Sequence, residues 1–201
     1  MSAEQNDQSP PPGIITVATS AGGLSALREL LGGLPSDFAL PILIVQHLAP
    51  DHPSRLARIL SSATALTVTE ARDGERAQAG HAYMAPPDWH LTVDEEGCMR
   101  LTDEPRVHFS RPSADVLFAS AVDTYGPGTI GVVLSGAGSD GADGAMRIRE
   151  AGGTVLCSDK ETSEHFMMPK AAIDRDAVDE VLPLQDIAAR LLDIVTSRSN
   201  K

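Results

Sequence analysis

The segment 13–31, GIITVATSAGGLSALRELL, constrains the fold of this chain more than any other. It opens with Ile14-Ile15-Thr16-Val17, a β-branched apolar run that reads as a buried strand. The chain then turns through Ala18-Thr19-Ser20-Ala21-Gly22-Gly23. Beyond the glycines, Leu24, Leu27, Leu30 and Leu31 recur at helical spacing, so the strand runs straight into a helix. Ser20 therefore stands at the carboxyl end of a strand, where open α/β sheets bind their ligands. Backbone N–H groups at the helix start, those of Ala21 and Gly22, are candidate donors to an anion or a developing oxyanion. Two readings compete for the serine. Either Thr19 or Ser20 caps the helix, or Ser20 is a nucleophile on a turn like the G-x-S-x-G elbow, with Ala18 in place of the first glycine.

The same strand-to-helix pattern recurs downstream. An apolar run at 41–45 stops at Gln46-His47, and Asp51-His52-Pro53-Ser54 offers caps for a helix carrying Leu56, Ile59 and Leu60. Residues 66–70 read as a third short strand. Between 73 and 105, turn residues cluster around the short runs 81–84, 91–93 and 99–101, which predicts a hairpin-rich, partly antiparallel excursion. Arg111-Pro112-Ser113 begins another helix. A buried strand at 130–134 leads through a glycine-rich loop to a helix ending near Glu150. A strand at 153–157, a short helix at 169–174 and a strand at 178–182 follow. The last helix carries the stripe Ile187, Ala188, Leu191, Leu192 and Val195. Alternating strands and helices imply an α/β fold: a doubly wound, mainly parallel sheet with helices on both faces and a small antiparallel hairpin excursion.

A chain of 201 residues is most simply one domain. The expected division is a disordered lead over 1–12, a catalytic domain over 13–196 and a tail over 197–201. No apolar run approaches the ~18 residues of a membrane span. The start has neither the basic nor the apolar region of a signal peptide. Two cysteines without metal-ligand spacing, Cys98 and Cys157, fit a reducing cytoplasm. A net charge of −12 argues against nucleic acid or an anionic membrane as partner.

Ser20, His47 and Asp140 each follow an apolar strand, and parallel strands would bring all three to one edge of the sheet. A serine hydroxyl needs a base, neutral imidazole can accept its proton, and a carboxylate fixes the histidine tautomer. The bland alternatives are a histidine satisfied by backbone and an aspartate that caps the following helix. Asp143 competes for the acid role, and His52, His81, His90, His108 and His165 compete for the base. A second motif, Gly136-Ala137-Gly138-Ser139-Asp140-Gly141, matches G-x-G-x-x-G between a strand and a helix. Asp159 follows the next strand, 18 positions after Gly141, which is close to a dinucleotide-binding fingerprint. A nucleotide-binding oxidoreductase built on this loop is thus one alternative function. A binding module without catalysis is another.

Several motifs in order resemble the catalytic domain of the chemotaxis protein-glutamate methylesterases, the CheB family. They are Ala18-Thr19-Ser20-Ala21-Gly22-Gly23, Gln46-His47, Asp73-Gly74-Glu75, Gly80-His81-Ala82-Tyr83-Met84-Ala85-Pro86, Arg111-Pro112-Ser113-Ala114-Asp115, Ser135-Gly136-Ala137-Gly138-Ser139-Asp140-Gly141 and Met168-Pro169. The resemblance implies hydrolysis of glutamate γ-methyl esters on the cytoplasmic signalling helices of chemoreceptors, with deamidation of certain glutamines as a second activity. It implies Ser20 as nucleophile, His47 as base, Asp140 as orienting acid and the Ala137 N–H as oxyanion donor, where many relatives carry methionine. No metal and no organic cofactor are expected. The family commonly places a phosphorylatable receiver domain before this one. Residues 1–12 are too few for that, so the expectation is a stand-alone enzyme that needs no phosphorylation, with a separate regulatory protein as an optional partner.

Overall fold

Strand β1 (Ile14–Thr19) is buried along its whole length, and the sheet extends from it to both sides. The computed structural model describes residues 12–47 and 55–199. After β1 come α1 (Gly23–Gly32), β2 (Ile42–Gln46), α2 (Leu56–Ser61), β3 (Thr67–Glu70) and β4 (His81–Met84). The antiparallel pair β5 (His90–Val93) and β6 (Met99–Thr102) precedes α3 (Ala114–Tyr125) and β7 (Thr129–Val133). The chain ends with α4 (Ala142–Glu150), β8 (Thr154–Ser158), α5 (Met167–Asp174), β9 (Glu180–Leu182) and α6 (Leu184–Ser199).

Seven parallel strands form one sheet in the order β3-β4-β2-β1-β7-β8-β9. The winding changes direction at β1, since β2 lies on one side and β7 on the other. Loops leaving the carboxyl ends of these three strands therefore part around a crevice. Period-two alternation divides the apolar strands between two cores. Ile15 and Val17 face α1, α2 and α6, with Leu27, Leu30, Ile187 and Leu191. Ile14 and Ala18 face α3, α4 and α5, with Phe118, Ile148 and Met168. Each such fully buried leucine or isoleucine stabilises the fold by roughly 1.5–3 kcal/mol.

The expected α/β fold is the one observed, with three local differences. Residues 81–84 join the main sheet as β4, parallel to both β2 and β3, so the antiparallel excursion shrinks to β5 and β6. Their flanking turns resemble hairpin turns in sequence, but Tyr83 and Met84 are buried between two cores as only an interior strand allows. Neither Thr19 nor Ser20 caps α1: Gly22 holds that position with φ +75°, and the Thr19 hydroxyl donates instead to the Ser135 carbonyl at 2.8 Å. Helix α6 runs to Ser199, three residues into the segment read as a tail. The lead up to residue 11 and the proposed cap 51–54 lie outside the described residues. Among the described residues no helix is long and apolar enough to cross a membrane.

Candidate active site

Ser20 is the first residue beyond β1, and the loop after β7 holds it there. Its N–H donates to the Ser135 carbonyl at 3.0 Å, and the Ser135 hydroxyl donates back to the Ala21 carbonyl at 2.8 Å. Gly136 lies so close that a Cβ there would come 2.0 Å from Met168 Sδ and 3.0 Å from Ser20 Cβ. The loop 136–141 thus runs directly beside the serine. The N–H groups of Ala21, Gly22 and Ala137 make no hydrogen bond among the described residues, so they are available donors at this edge.

His47 is the first residue beyond β2, one strand over, where Thr19 and Gln46 are register partners. Its N–H donates to the Thr19 carbonyl at 3.1 Å. Gln46 ties the two strand ends together. Its Nε2 donates to the carbonyls of Ser20 and His47 at 2.8 and 2.9 Å. The amide fits only because residue 23 is glycine, since a Cβ there would fall 1.9 Å from Gln46 Oε1 and 2.5 Å from Thr19 Oγ1.

The His47 ring and the Asp140 carboxylate meet at 2.7 Å, Nε2 to Oδ2. Asp140 is 4% exposed. It also accepts the Ser113 hydroxyl at 2.6 Å and the N–H groups of Ala114 and Asp115 at 2.7 and 3.1 Å. These last two are the unpaired donors at the start of α3, where a carboxylate is favoured. Burial pushes the Asp140 pKa up. The hydrogen bonds from His47, Ser113, Ala114 and Asp115 overcome that and hold it below the ordinary carboxylate value. Asp140 therefore stays a carboxylate while it orients the ring. With Nε2 engaged, Nδ1 is the ring nitrogen left for Ser20. The described residues show no hydrogen bond between the Ser20 hydroxyl and the ring; such contacts often tighten only with substrate bound.

The rivals have other engagements. Asp143 is exposed and paired with Arg175 at 2.6 Å. His81 bonds the Ala79 carbonyl, and His165 lies beside Glu164. His52 lies outside the described residues. Buried His90 bonds the Pro105 carbonyl through Nε2 and accepts the Ser113 N–H on Nδ1, so it supports the residue that supports Asp140. The dinucleotide reading of loop 136–141 meets a physical obstacle. The helix start where a pyrophosphate would bind is already filled by Asp115, which accepts the N–H groups of Gly141 and Gly144 at 3.0 and 2.7 Å. Among the described residues two groups of side chains have metal-ligand proximity, Asp94 with Glu96 and Cys98, and His108 with Asp115 and Asp143. In the first, Asp94 is held by Arg100; in the second, Arg175 holds Asp143 and α4 holds Asp115.

Sequence reasoning singled out Ser20, His47 and Asp140, and the structure puts them at one edge, two of them in direct contact. It left Gln46, Ser113 and Ser135 without roles. Ser113 stands at the start of α3 yet makes no side-chain cap bond there, because its hydroxyl goes to Asp140. The signal was its place between Pro112 and the helix, which reads as an ordinary cap. A cleft of about 900 Å³ opens at Ser20, walled by Leu24, Ser25 and Arg28 of α1 and by Glu164. That is room for several side chains of a macromolecular substrate.

Residues 15–191 match the family model described as CheB methylesterase. A protein of Leptospira interrogans, provisionally designated protein-glutamate methylesterase/protein-glutamine glutaminase, is 41% identical over 174 residues, covering 87% of this chain and 90% of that protein. Protein-glutamate methylesterase/protein-glutamine glutaminase 4 of Myxococcus xanthus is 40% identical over 180 residues, and the match spans 51% of its length. The crystal structure of the Thermotoga maritima CheB methylesterase catalytic domain superposes with a TM-score of 0.88 at 37% identity, covering 90% of this chain and 98% of that one.

Proposed function

The chain belongs to the CheB methylesterase family, and from that premise we propose that it demethylates glutamate γ-methyl esters on chemoreceptor helices with Ser20, His47 and Asp140 as its reacting groups. Ser20 Oγ attacks the ester carbonyl carbon as its proton passes to His47 Nδ1. The Ala137 N–H, with those of Ala21 and Gly22, holds the oxyanion that forms. Collapse of the tetrahedral species breaks the bond to the methoxy oxygen, which takes the proton from His47 and leaves as methanol. Water, deprotonated by the same ring, then attacks the acyl-serine and releases the glutamate carboxylate. With glutamine as substrate the same steps release ammonia, which is the glutaminase activity.

The observation that carries this reading is the 2.7 Å contact between His47 and a carboxylate held in its charged form by four donors. Such a carboxylate stabilises the imidazolium at the moment it forms. The substrate helices lie in the cytoplasm, so we place the enzyme there; free Cys98 and Cys157 suit that compartment. Methanol release from methylated receptor, followed with wild type and Ser20→Ala, tests the reading. Wild type should turn over and the variant should lose roughly 10⁴-fold or more in kcat. Equal turnover by both would remove Ser20 from the reaction.

A further inference from the structure

Phe109 stands at the tip of a two-residue hairpin beside His47, and the residue is 95% exposed. Val107 and Ser110 close the turn through two reciprocal backbone bonds, at 3.1 and 2.8 Å. Both central residues are left-handed, His108 at φ +47° and Phe109 at φ +65°. Turns of this shape favour asparagine and glycine, and a bulky residue there is uncommon. Folding alone therefore does not account for phenylalanine at 109. It is strained in its backbone and buries almost nothing. Residues kept in such conformations cluster where a binding or catalytic task demands them.

The base of the hairpin is fixed rather than loose. Arg111 bonds Asp88 at 3.1 Å and the carbonyls of Asp103 and Glu104, and Arg106 bonds Asp88 at 2.7 Å. Asp88 belongs to the loop after β4, the strand beside β2, which leads into His47. A pocket of about 150 Å³ joins the hairpin to the catalytic edge, lined by His47, Arg106, Phe109, Ser110, Arg111 and Pro112. Among the described residues its lining holds two arginines, which share the single carboxylate of Asp88 and so leave a net positive charge, in a chain whose net charge is −12. A glutamate-bearing helix would be repelled by most of this surface and attracted here.

We propose that this hairpin is the docking knob for the substrate helix: Phe109 contacts the helix's apolar face beside the glutamyl ester, and the half-exposed Arg106 faces its carboxylates. The inference rests on the methylesterase reading given above. One occupant satisfies both chemistries at the pocket. A helix from a coiled-coil bundle offers an apolar stripe, with its glutamates adjacent on neighbouring positions. An exposed aromatic ring on a rigid support is also a common form of binding anchor, because little side-chain entropy is lost on contact. The helix spans one turn in about 5.4 Å, so a ring next to the His47 pocket reaches the turn adjoining the ester.

The test compares two substrates, methylated receptor and a small γ-methyl glutamyl ester, with wild type, Phe109→Ala, Phe109→Gly and Phe109→Trp. Phe109→Ala and Phe109→Gly should raise KM for receptor about tenfold, with kcat within about twofold. The ratio of receptor to small-ester kcat/KM should fall by a similar factor, and Phe109→Trp should restore most of it. Phe109→Gly should melt no lower than wild type, because glycine relieves the left-handed backbone. A merely structural phenylalanine would show the opposite, a lower melting temperature and parallel losses on both substrates. That result, or an unchanged receptor KM in Phe109→Ala, would overturn the proposal. A wild type that cleaves neither substrate would overturn the methylesterase reading itself, and the proposal with it.

Discussion

Asp140 and Asp115 exchange helix caps. Asp140 precedes α4 but accepts the first N–H groups of α3, from Ala114 and Asp115. Asp115 belongs to α3 but accepts the N–H groups of Gly141 and Gly144 at the start of α4. Each carboxylate thus satisfies donors that the other's helix leaves unpaired. The exchange locks the loop after β7 against α3, and with it the carboxylate that holds His47.

The exchange has a pH signature. Burial, with the nearby charges of Asp140 and Asp143, raises the Asp115 pKa to about 6 despite its bond to Gly144. In the unfolded chain it would be ~3.9. Between those values the folded state binds more protons, so this group's contribution to stability falls as pH rises from about 4 to 6. Asp115→Asn keeps an oxygen for the α4 donors and removes the charge. Relative to wild type it should be more stable at pH 8 than at pH 5, by on the order of 1 kcal/mol after allowing for partial exposure. Thermal melts at the two pH values check this, and an equal difference at both would contradict it.

Ser113→Ala removes one donor from Asp140 and should cost about 1.5–3 kcal/mol of stability. The sign with pH is the reverse of the Asp115 case. Asp140 has a depressed folded pKa, so its contribution is present at neutral pH and is lost as pH falls through that value. With one donor fewer the folded pKa is less depressed, so the loss is smaller and ends at a higher pH. The melting-temperature gap between Ser113→Ala and wild type should therefore be widest near neutral pH and narrow as pH falls through the folded Asp140 pKa; a gap that widens in acid would contradict this.

Gly23→Ala should damage the tie made by Gln46. The added Cβ would lie 1.9 Å from Gln46 Oε1, and relieving the overlap should cost about 1–3 kcal/mol. Adding Gln46→Ala should recover part of the melting temperature, because the clash with the amide is gone while the 2.5 Å approach to Thr19 Oγ1 remains, but not the turnover, because Ser20 and His47 lose their shared donor. Recovery of both would show that Gln46 only fills space.

The strand-end positions of Ser20, His47 and Asp140 were legible because each follows an apolar run of strand length, and parallel order makes such ends converge. The fold was legible for the same reason. What the sequence hid were relations between distant segments. Residues 81–84 look like a hairpin strand until Tyr83 and Met84 are seen buried in the sheet interior. Asp140 looks like a cap for the helix that follows it, and only the placement of α3 shows that it caps a helix 26 residues earlier. Ser113, Ser135 and Gln46 are ordinary polar residues at element ends, and no local pattern marks which distant carbonyl or carboxylate they will meet.

Asp140→Asn and Asp143→Asn separate orientation from simple capping. Asp140→Asn should lower kcat by up to roughly 10⁴, since an amide mis-sets the ring tautomer. Asp143→Asn loses an exposed pair with Arg175, worth about 1 kcal/mol at most, and should keep kcat near wild type. Equal small losses would reduce the site to Ser20 and His47.

The central claim, that Ser20 is a nucleophile activated by His47, is tested most directly by covalent labelling with a fluorophosphonate, read by peptide mass spectrometry. The account predicts a single adduct on the peptide carrying Ser20, formed at the wild-type rate in Asp143→Asn, strongly slowed in His47→Ala and absent in Ser20→Ala. An adduct on another serine, or labelling of Ser20→Ala at the wild-type rate, would contradict it.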